Sequence, residues 1–347
     1  MAALPDRYSE SLIDLRDLTV DHLAGLLEEE TASWRAELDW DFRASADLVR
    51  RFIQLRSLNG FALVAGGAIA GYSYYVAEDG KGLIGDFYMR TPFRAPERHA
   101  RLLQVVLDAM WRTPGTHRVE AQLMMLSAHP QTEPRPLGSG FSAQPPALSQ
   151  LHRSMPYARW FHSYPRQFLD ATLASIRGLP ARETGIAFGP WAESWHDEAA
   201  HLIAGAYRGH VDSSINDQYR SPQGARRFLT NIVQYPGCGA FFAPASFAGW
   251  DRKNRALCGV SLASLVAPEV GHITQICVAP QRQGHGIGYE LLRRSLAALA
   301  AHGCRNVSLT VTSANQSALR LYRQMGFRLR REFSAYVWEM GGAAFSE

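Results

Sequence analysis

Apolar residues recur along the first half of the chain at two spacings, one of three to four positions and one of two. The wider spacing predicts amphipathic helices at residues 19–32, 45–58 and 98–112. Alternating and β-branched runs predict strands at residues 61–76 and 82–89. The first half therefore has the pattern of two helices, a set of strands and a further helix.

The second half repeats this order of patterns. Helices are predicted at residues 195–207, 221–234, 286–302 and 315–324. Strands are predicted at residues 239–242, 256–265, 271–278, 307–311 and near 333–338. The predicted class is a mixed α/β fold.

The two halves also match residue by residue. Gly71 and Gly259 lie 188 positions apart, and so do Pro92 and Pro280. At the same offset the segment 68–73 faces the segment 256–261, which indicates two copies of one fold. A Pro- and Ser-rich stretch at 129–150 separates them. We expect one domain at residues 1–170 and a second at 171–347.

Composition narrows the class of protein. The 347 residues carry a net charge of only +4, without a run of five basic residues, so nothing favours nucleic-acid binding. No basic-then-apolar leader opens the sequence and no apolar stretch reaches membrane-spanning length. The four cysteines lack the spacing of a zinc site. We expect a cytoplasmic protein without a membrane segment or a metal.

The strongest local feature is a strand ending at Pro280, a glycine-rich turn at 281–288 and an amphipathic run at 289–300. Glycines at 284, 286 and 288 allow close approach of the backbone to a ligand. The free N–H groups of a helix N-terminus favour an anion. The segment therefore predicts a pyrophosphate site.

Three kinds of protein use such a turn, and spacing separates them. A P-loop needs a Gly-Lys-Ser or Gly-Lys-Thr that this turn lacks. A dinucleotide site needs G-x-G-x-x-G and an acidic residue about 20 positions later, and the region around Asn306 offers no acid.

The turn does resemble the signature Q/R-x-x-G-x-G/A of the GNAT superfamily, matched by Gln281, Gly284 and Gly286. A later block from Asn315 through Tyr322 to Phe327 is similar to the family's Asn-x-x-Ala-x-x-x-Tyr-x-x-x-Gly-Phe motif. The resemblance is strong over 239–340. It implies an acetyl-CoA-dependent N-acetyltransferase with two GNAT-like domains, each a mostly antiparallel mixed central sheet flanked by helices.

The resemblance also implies site residues. Tyr322 is the expected acid that protonates the leaving thiolate, and Glu269 and His272 are the candidate bases. The residues expected to hold acetyl-CoA are Ile276, Cys277, Val278, Gln283, Gly284, His285, Gly286, Ile287, Gly288, Asn315, Ala318 and Tyr322.

The acceptor is expected to be an amine of a small molecule or a peptide, bound by the polar segment that holds His210, Asp212, Asn216, Asp217 and Tyr219. A longer acyl donor remains open, as does a protein that binds acyl-CoA without catalysis. The expected assembly is a monomer or a homodimer.

The first copy lacks the glycine turn. At the offset of 188, Pro96, Arg98 and Ala100 stand opposite the three glycines. Pro96 has no N–H to donate, and Arg98 adds a bulky side chain. We expect a degenerate first domain that does not bind a phosphate.

Overall fold

The computed structural model describes residues 10–126, 155–176, 178–235 and 237–340. The Pro- and Ser-rich stretch at 129–150, which marked the expected domain junction, lies outside these residues. The described chain groups into two compact units. Unit 1 comprises the described residues up to Trp34, from Ala46 to Tyr164 and from Phe333 onward, and unit 2 comprises Arg35–Ser45 and Pro165–Glu332.

The units do not follow a single cut at residue 170. The segment Arg35–Ser45 lies in unit 2 although it comes early in the chain, and the residues from Phe333 onward lie in unit 1. The residues from Phe333 onward belong to unit 1 because of strand pairing, since Ala335–Glu339 form an antiparallel ladder with Arg118–Gln122.

Unit 1 holds the first five strands and three helices. The strands are β1 (Ser11–Asp14), β2 (Gly60–Ala65), β3 (Ala68–Glu78), β4 (Lys81–Met89) and β5 (Arg118–Gln122), and the helices are α1 (Val20–Leu38, whose last turn enters unit 2), α2 (Arg43–Gln54, which begins in unit 2) and α3 (Pro96–Trp111).

The sheet of unit 1 runs in the order β1, β2, β3, β4, β5, followed by the Phe333–Glu339 part of the last strand, which pairs with β5. Neighbouring strands are antiparallel except β4 and β5, which are parallel and are joined by α3. The apolar face of α3, formed by Leu102, Leu103, Val106, Leu107 and Met110, is buried in one core with residues of the strands. This burial fixes the helix on the sheet.

Unit 2 holds the other helices and strands. They are β6 (Phe161–Thr172, which starts in unit 1), β7 (Ile186–Pro190), α4 (His196–Ala206), α5 (Asp212–Ile215), α6 (Pro222–Gln234), β8 (Ala240–Phe241), β9 (Phe247–Asp251), β10 (Leu257–Ala267), β11 (Val270–Val278), α7 (Ile287–His302), β12 (Asn306–Thr312), α8 (Gln316–Gln324) and the start of β13 (Arg328–Glu339).

The sheet of unit 2 runs in the order β6, β12, β11, β10, β9, β7, and β8 pairs with β10. Its pairs are antiparallel except β11 and β12. The predicted mixed class, with mostly antiparallel sheets and flanking helices, is confirmed.

The parallel ladder between β11 and β12 in unit 2 is short. Val270–Ile273 pair with Asn306–Leu309, whereas β11 continues to Val278 and β12 to Thr312 without pairing with each other. The other edge of β11 stays paired with β10 as far as Val278. The backbone of residues 274–278 therefore has one edge that the β12 ladder does not use.

Several predicted elements need correction. The single strand expected at 61–76 is a hairpin, because Gly66 and Gly67 adopt φ of +61° and +76° and reverse the chain. Strands β1, β5, β6, β7 and β9 were not predicted. β1 and β7 lie at the sheet borders, β6 and β9 carry aromatic or proline residues that obscure their alternation, and β5 is only five residues long.

The repeat is visible in the strand registers. Both copies have a register shift at the equivalent point, between Tyr74 and Tyr75 and between Leu262 and Ala263. The offset is 188 in this strand. It changes in the next, because Gly71 pairs with Met89 whereas Gly259 pairs with Val278, which gives an offset of 189.

This change of the offset between the two copies corrects the residues that were matched at a constant offset of 188. Pro280 corresponds to Thr91 by strand register, and the helix start at Ile287 corresponds to Pro96. Six residues join β4 to α3, whereas eight join β11 to α7. The residue of the first copy opposite Gly286 is therefore Ala95, and the first copy has a shorter connection.

Candidate functional site

The glycine turn joins β11 to α7. After a short 3-10 turn at Pro280–Arg282, Gly284 and Gly286 both adopt φ of +78°, and the helix begins at Ile287. This left-handed conformation is accessible to glycine without strain. The first helical bond of α7 runs from the Glu290 N–H to the Gly286 carbonyl. The preceding N–H groups of the helix are free for a ligand.

Neighbouring side chains hold the turn in place. Arg282 forms an ion pair with Asp251 at 2.6 Å. The Gln283 side-chain amide donates to the Val278 carbonyl at 3.2 Å. The His285 Nδ1 atom lies 2.8 Å from the Gln283 carbonyl, so this side chain is engaged within the turn itself.

A cavity of about 450 Å³ opens over the turn. Its walls come from the end of β11, the turn, the first residues of α7, the helix α8 and the end of α4. The lining residues are Arg182, Ala206, Tyr207, His210, Ile276, Cys277, Val278, Arg282, Gln283, Gly284, Gly286, Ile287, Gly288, Tyr289, Asn315, Ser317, Ala318, Leu321 and Tyr322.

The cavity brings together eleven of the twelve residues expected to hold the donor, and His285 is the exception. Five of its lining residues carry polar or charged groups that sequence reasoning missed or left unassigned at this position: Arg182, Tyr207, Arg282, Tyr289 and Ser317. Arg182 precedes β7, about 100 residues before the turn, and no spacing rule connects the two.

Cys277 faces the cavity but is unsuited to covalent chemistry. It is buried, and burial raises the pKa of its thiol to about 12. A protonated thiol is a poor nucleophile. Cys277 therefore acts as a small apolar wall residue.

Helix α8 presents Tyr322 to the cavity. The Asn315 side chain caps the helix by accepting the Ala318 N–H at 3.1 Å. Tyr322 follows two turns later on the same face. Its ring packs 6.0 Å from that of Phe327, which follows a Gly326 with φ of +92°.

The Tyr322 hydroxyl is a weak acid in this environment. Burial, followed by the nearby Asp212 carboxylate, raises its pKa above the ordinary value of 10. The phenol is therefore protonated throughout the neutral pH range.

Polar groups gather at the end of the cavity near Tyr207. The Gln275 side-chain amide donates to the Tyr207 hydroxyl at 3.2 Å, and the Tyr207 and Tyr219 rings stack 4.3 Å apart. His210 lines the cavity, and its Nδ1 accepts the Asp212 N–H at 3.2 Å. This bond leaves the proton of the neutral imidazole on Nε2.

The Asp212 side chain is fixed by a second group. Its carboxylate accepts a hydrogen bond from the Thr312 hydroxyl at the end of β12. Asp212 and His210 belong to the segment expected to bind the acceptor, and Asn216 caps the short 3-10 helix that follows by accepting the Gln218 N–H.

The two candidate bases do not line the cavity. Glu269 lies just before β11, is half exposed and forms an ion pair with Arg305 at 3.2 Å. His272 is buried against Trp40 and Phe168, and its Nδ1 lies 2.8 Å from the Ser308 hydroxyl. Burial lowers its pKa to about 3.

Charge differs between the two ends of the cavity. Arg182 and the α7 N-terminus make the turn end positive, whereas the other end carries hydroxyl, amide and imidazole groups beside Asp212. Among the described residues, no cluster of His, Cys, Asp or Glu is arranged to hold a metal ion. Nor does any described helix combine the length and apolarity needed to cross a bilayer.

Comparison with known proteins identifies the family whose model matches part of this chain. Residues 211–327 match the model of the acetyltransferase (GNAT) family. The chain is 27% identical over 286 residues to a mycothiol acetyltransferase of Streptosporangium roseum, which covers 76% of this chain and 80% of that protein. It is 39% identical over 145 residues to a mycothiol acetyltransferase of Mycobacteroides abscessus, covering 42% and 41% of the two chains.

Solved structures share the fold over nearly the whole chain. A GCN5-related N-acetyltransferase from Sphaerobacter thermophilus has a TM-score of 0.64 at 18% identity and covers 98% of both chains. A tandem GNAT protein from the clavulanic acid biosynthesis pathway has a TM-score of 0.63 at 16% identity, covering 96% of this chain and 100% of that one.

Proposed function

Since this chain belongs to the GNAT superfamily of acetyltransferases, we propose that it transfers an acetyl group from acetyl-CoA to a primary amine of a small molecule or peptide. The observation that carries the proposal is the cavity over the glycine turn, which joins free helix N–H groups to a protonated Tyr322. Acyl transfer needs both an anion site for the donor and a proton for the leaving thiolate.

The donor occupies the turn end of the cavity in this proposal. Backbone N–H groups from Gly284 to Gly288 bind the pyrophosphate, because the turn is positive and its glycines leave the backbone uncovered, whereas the Gln283 N–H already donates to the Pro280 carbonyl. The thioester lies along Ile276–Val278, where the unpaired edge of β11 offers backbone hydrogen bonds. The cavity volume of about 450 Å³ lies within the usual range for small-molecule sites.

The amine attacks the thioester carbonyl carbon directly. The carbon–nitrogen bond forms, the carbon–sulfur bond breaks, and the departing sulfur takes the Tyr322 proton, which returns from solvent. The high pKa of the buried Cys277 thiol argues against an acyl-cysteine intermediate.

The amine must lose its own protons. We propose that they pass to water, because neither Glu269 nor His272 lines the cavity and His210 holds a proton on Nε2. In this form His210 donates a hydrogen bond and orients the acceptor. The mycothiol acetyltransferases among the relatives suggest a small-molecule acceptor for this chain.

Calorimetric titration with acetyl-CoA, CoA and NAD tests the donor site. The wild-type protein is expected to bind the two CoA ligands at micromolar concentration and not NAD. A Gly286→Glu variant is expected to lose this binding, because a side chain is strained at the φ of +78° that Gly286 adopts and the added carboxylate repels phosphate.

Gly25→Glu is the matched control. Gly25 is exposed on α1, and a β-carbon there meets no atom within 4 Å. The control should bind CoA as the wild type does, and a screen of amines with thiol detection then tests transfer. A wild-type protein that does not bind CoA would refute the proposal.

A further inference from the structure

Arg182 lies over the glycine turn without belonging to it. It lines the cavity, and its Cδ and Cβ lie 3.5 and 3.9 Å from the position that a β-carbon on Gly286 would occupy. The guanidinium carbon lies 3.9 Å from the centre of the Tyr289 ring, which belongs to the first turn of α7. The cation is therefore held beside the free N–H groups of the helix.

The first turn of α7 holds the backbone around Arg182. The Tyr289 hydroxyl donates to the Pro180 carbonyl at 3.0 Å. The Glu290 carboxylate accepts the Arg182 N–H at 3.4 Å. Tyr289 is buried and Glu290 is bound by Arg293 and Arg294, so both anchors are themselves fixed.

The charge of Arg182 has no acidic partner within the part of the chain that the structure describes. Among the described residues the guanidinium stacks on Tyr289 and forms neither a hydrogen bond nor an ion pair. By contrast Arg282, the other cation of the cavity wall, is paired with Asp251. Stacking uses the face of a guanidinium and leaves the N–H groups at its edge for an anion.

From these positions we propose that the Arg182 guanidinium binds the pyrophosphate of the donor and closes the turn over it. The assignment rests on the proposed function, since it requires a CoA ligand at this turn. A planar guanidinium can bind two phosphate oxygens at once, which adds affinity and fixes orientation. Arg182 is thus a donor-binding residue that lies outside both sequence motifs.

Titration calorimetry of Arg182→Gln with three ligands tests the assignment. The ligands are CoA, 3′-dephospho-CoA and pantetheine. We expect Kd to rise about tenfold to a hundredfold for the two ligands that carry a pyrophosphate, the range for losing charge-assisted hydrogen bonds. The Kd for pantetheine should stay unchanged, which also shows that the variant is folded.

Two further variants sharpen the comparison. Arg182→Lys keeps the charge but not the paired donors, so its loss should be smaller than that of Arg182→Gln. Arg305→Gln removes the same charge from an exposed residue and should bind all three ligands normally.

Each other result has one meaning. A loss confined to CoA would place Arg182 at the 3′-phosphate and overturn the pyrophosphate assignment. Equal affinities in variant and wild type, or an equal loss for all three ligands, would also overturn it. A wild-type protein that binds none of the three would instead refute the proposed function itself.

Discussion

Replacing Tyr322 with Phe removes the hydroxyl that we propose as the acid and keeps the aromatic ring. The ring is buried and packs against Phe327, and Phe preserves this packing. Within the described chain the hydroxyl has no hydrogen-bond partner, so its removal leaves no group unsatisfied. We therefore expect the free energy of unfolding to change by no more than about 0.5 kcal/mol.

Turnover should fall far more than stability. A well-matched general acid contributes about 10²- to 10⁴-fold. Burial and the Asp212 carboxylate raise the pKa of Tyr322 above 10, so proton donation to a thiolate is less favourable than for a matched acid. We therefore expect a loss at the lower end, about tenfold to a hundredfold in kcat, or about 1.4 to 2.7 kcal/mol of transition-state stabilisation.

The assay is thiol release from acetyl-CoA with a saturating amine, measured beside thermal unfolding and calorimetric Kd for CoA. Tyr235→Phe is the control, because Tyr235 is 62% exposed and does not line the cavity. An unchanged kcat in Tyr322→Phe would remove the acid from the mechanism. A drop in kcat accompanied by a large loss of stability would point to packing instead.

One buried titratable group in each unit, His272 in unit 2 and Glu30 in unit 1, makes the free energy of unfolding depend on pH. The pKa of His272 is about 3 in the folded state and about 6.5 for an ordinary histidine. The contribution of His272 to the free energy of unfolding is therefore fully present above pH 6.5 and is lost as pH falls, by about 2 kcal/mol between pH 7.5 and 5. Urea unfolding of His272→Gln should show a smaller loss over this interval, and an equal loss would contradict the linkage. In unit 1 Glu30 lies beside Asp86 and accepts the Tyr72 hydroxyl at 2.9 Å, and burial raises its pKa well above 4.5. The stabilisation that the neutral Glu30 provides is fully present below pH 4.5 and is lost as pH rises. The free energy of unfolding of Glu30→Gln should therefore decline less between pH 5 and 8.5 than that of the wild type. An equal decline in both proteins would contradict this prediction.

The residues that line the turn end of the cavity were predictable from sequence because their signals are local. Gly284 and Gly286 adopt a positive φ, which glycine reaches without strain, and the amphipathic run after them predicts a helix. Asn315 caps its helix within three residues. Each of these features depends on residues that are close together in the sequence, so it can be predicted without knowledge of tertiary packing.

The remaining site residues depend on packing that no short spacing encodes. His272 was a reasonable base by its ordinary pKa, yet Trp40 and Phe168 enclose it. Nothing in the local sequence of β11 reveals that Trp40, from the segment Arg35–Ser45, packs there. Arg182 is equally hidden, because its contact with Tyr289 spans more than 100 residues.

The first copy shows why the fold can persist without the glycine turn. Helix α3 is held on its sheet by Leu102, Leu103 and Val106, which face the core, and Phe93 of the six-residue connection before the helix packs against the same core. That connection is two residues shorter than its counterpart and begins the helix after Ala95. Shortening it removes the left-handed glycines while leaving the buried face of α3 intact. Packing of the strand and the helix therefore does not depend on the glycine turn between them, and a copy of the fold can lack this turn and keep its core.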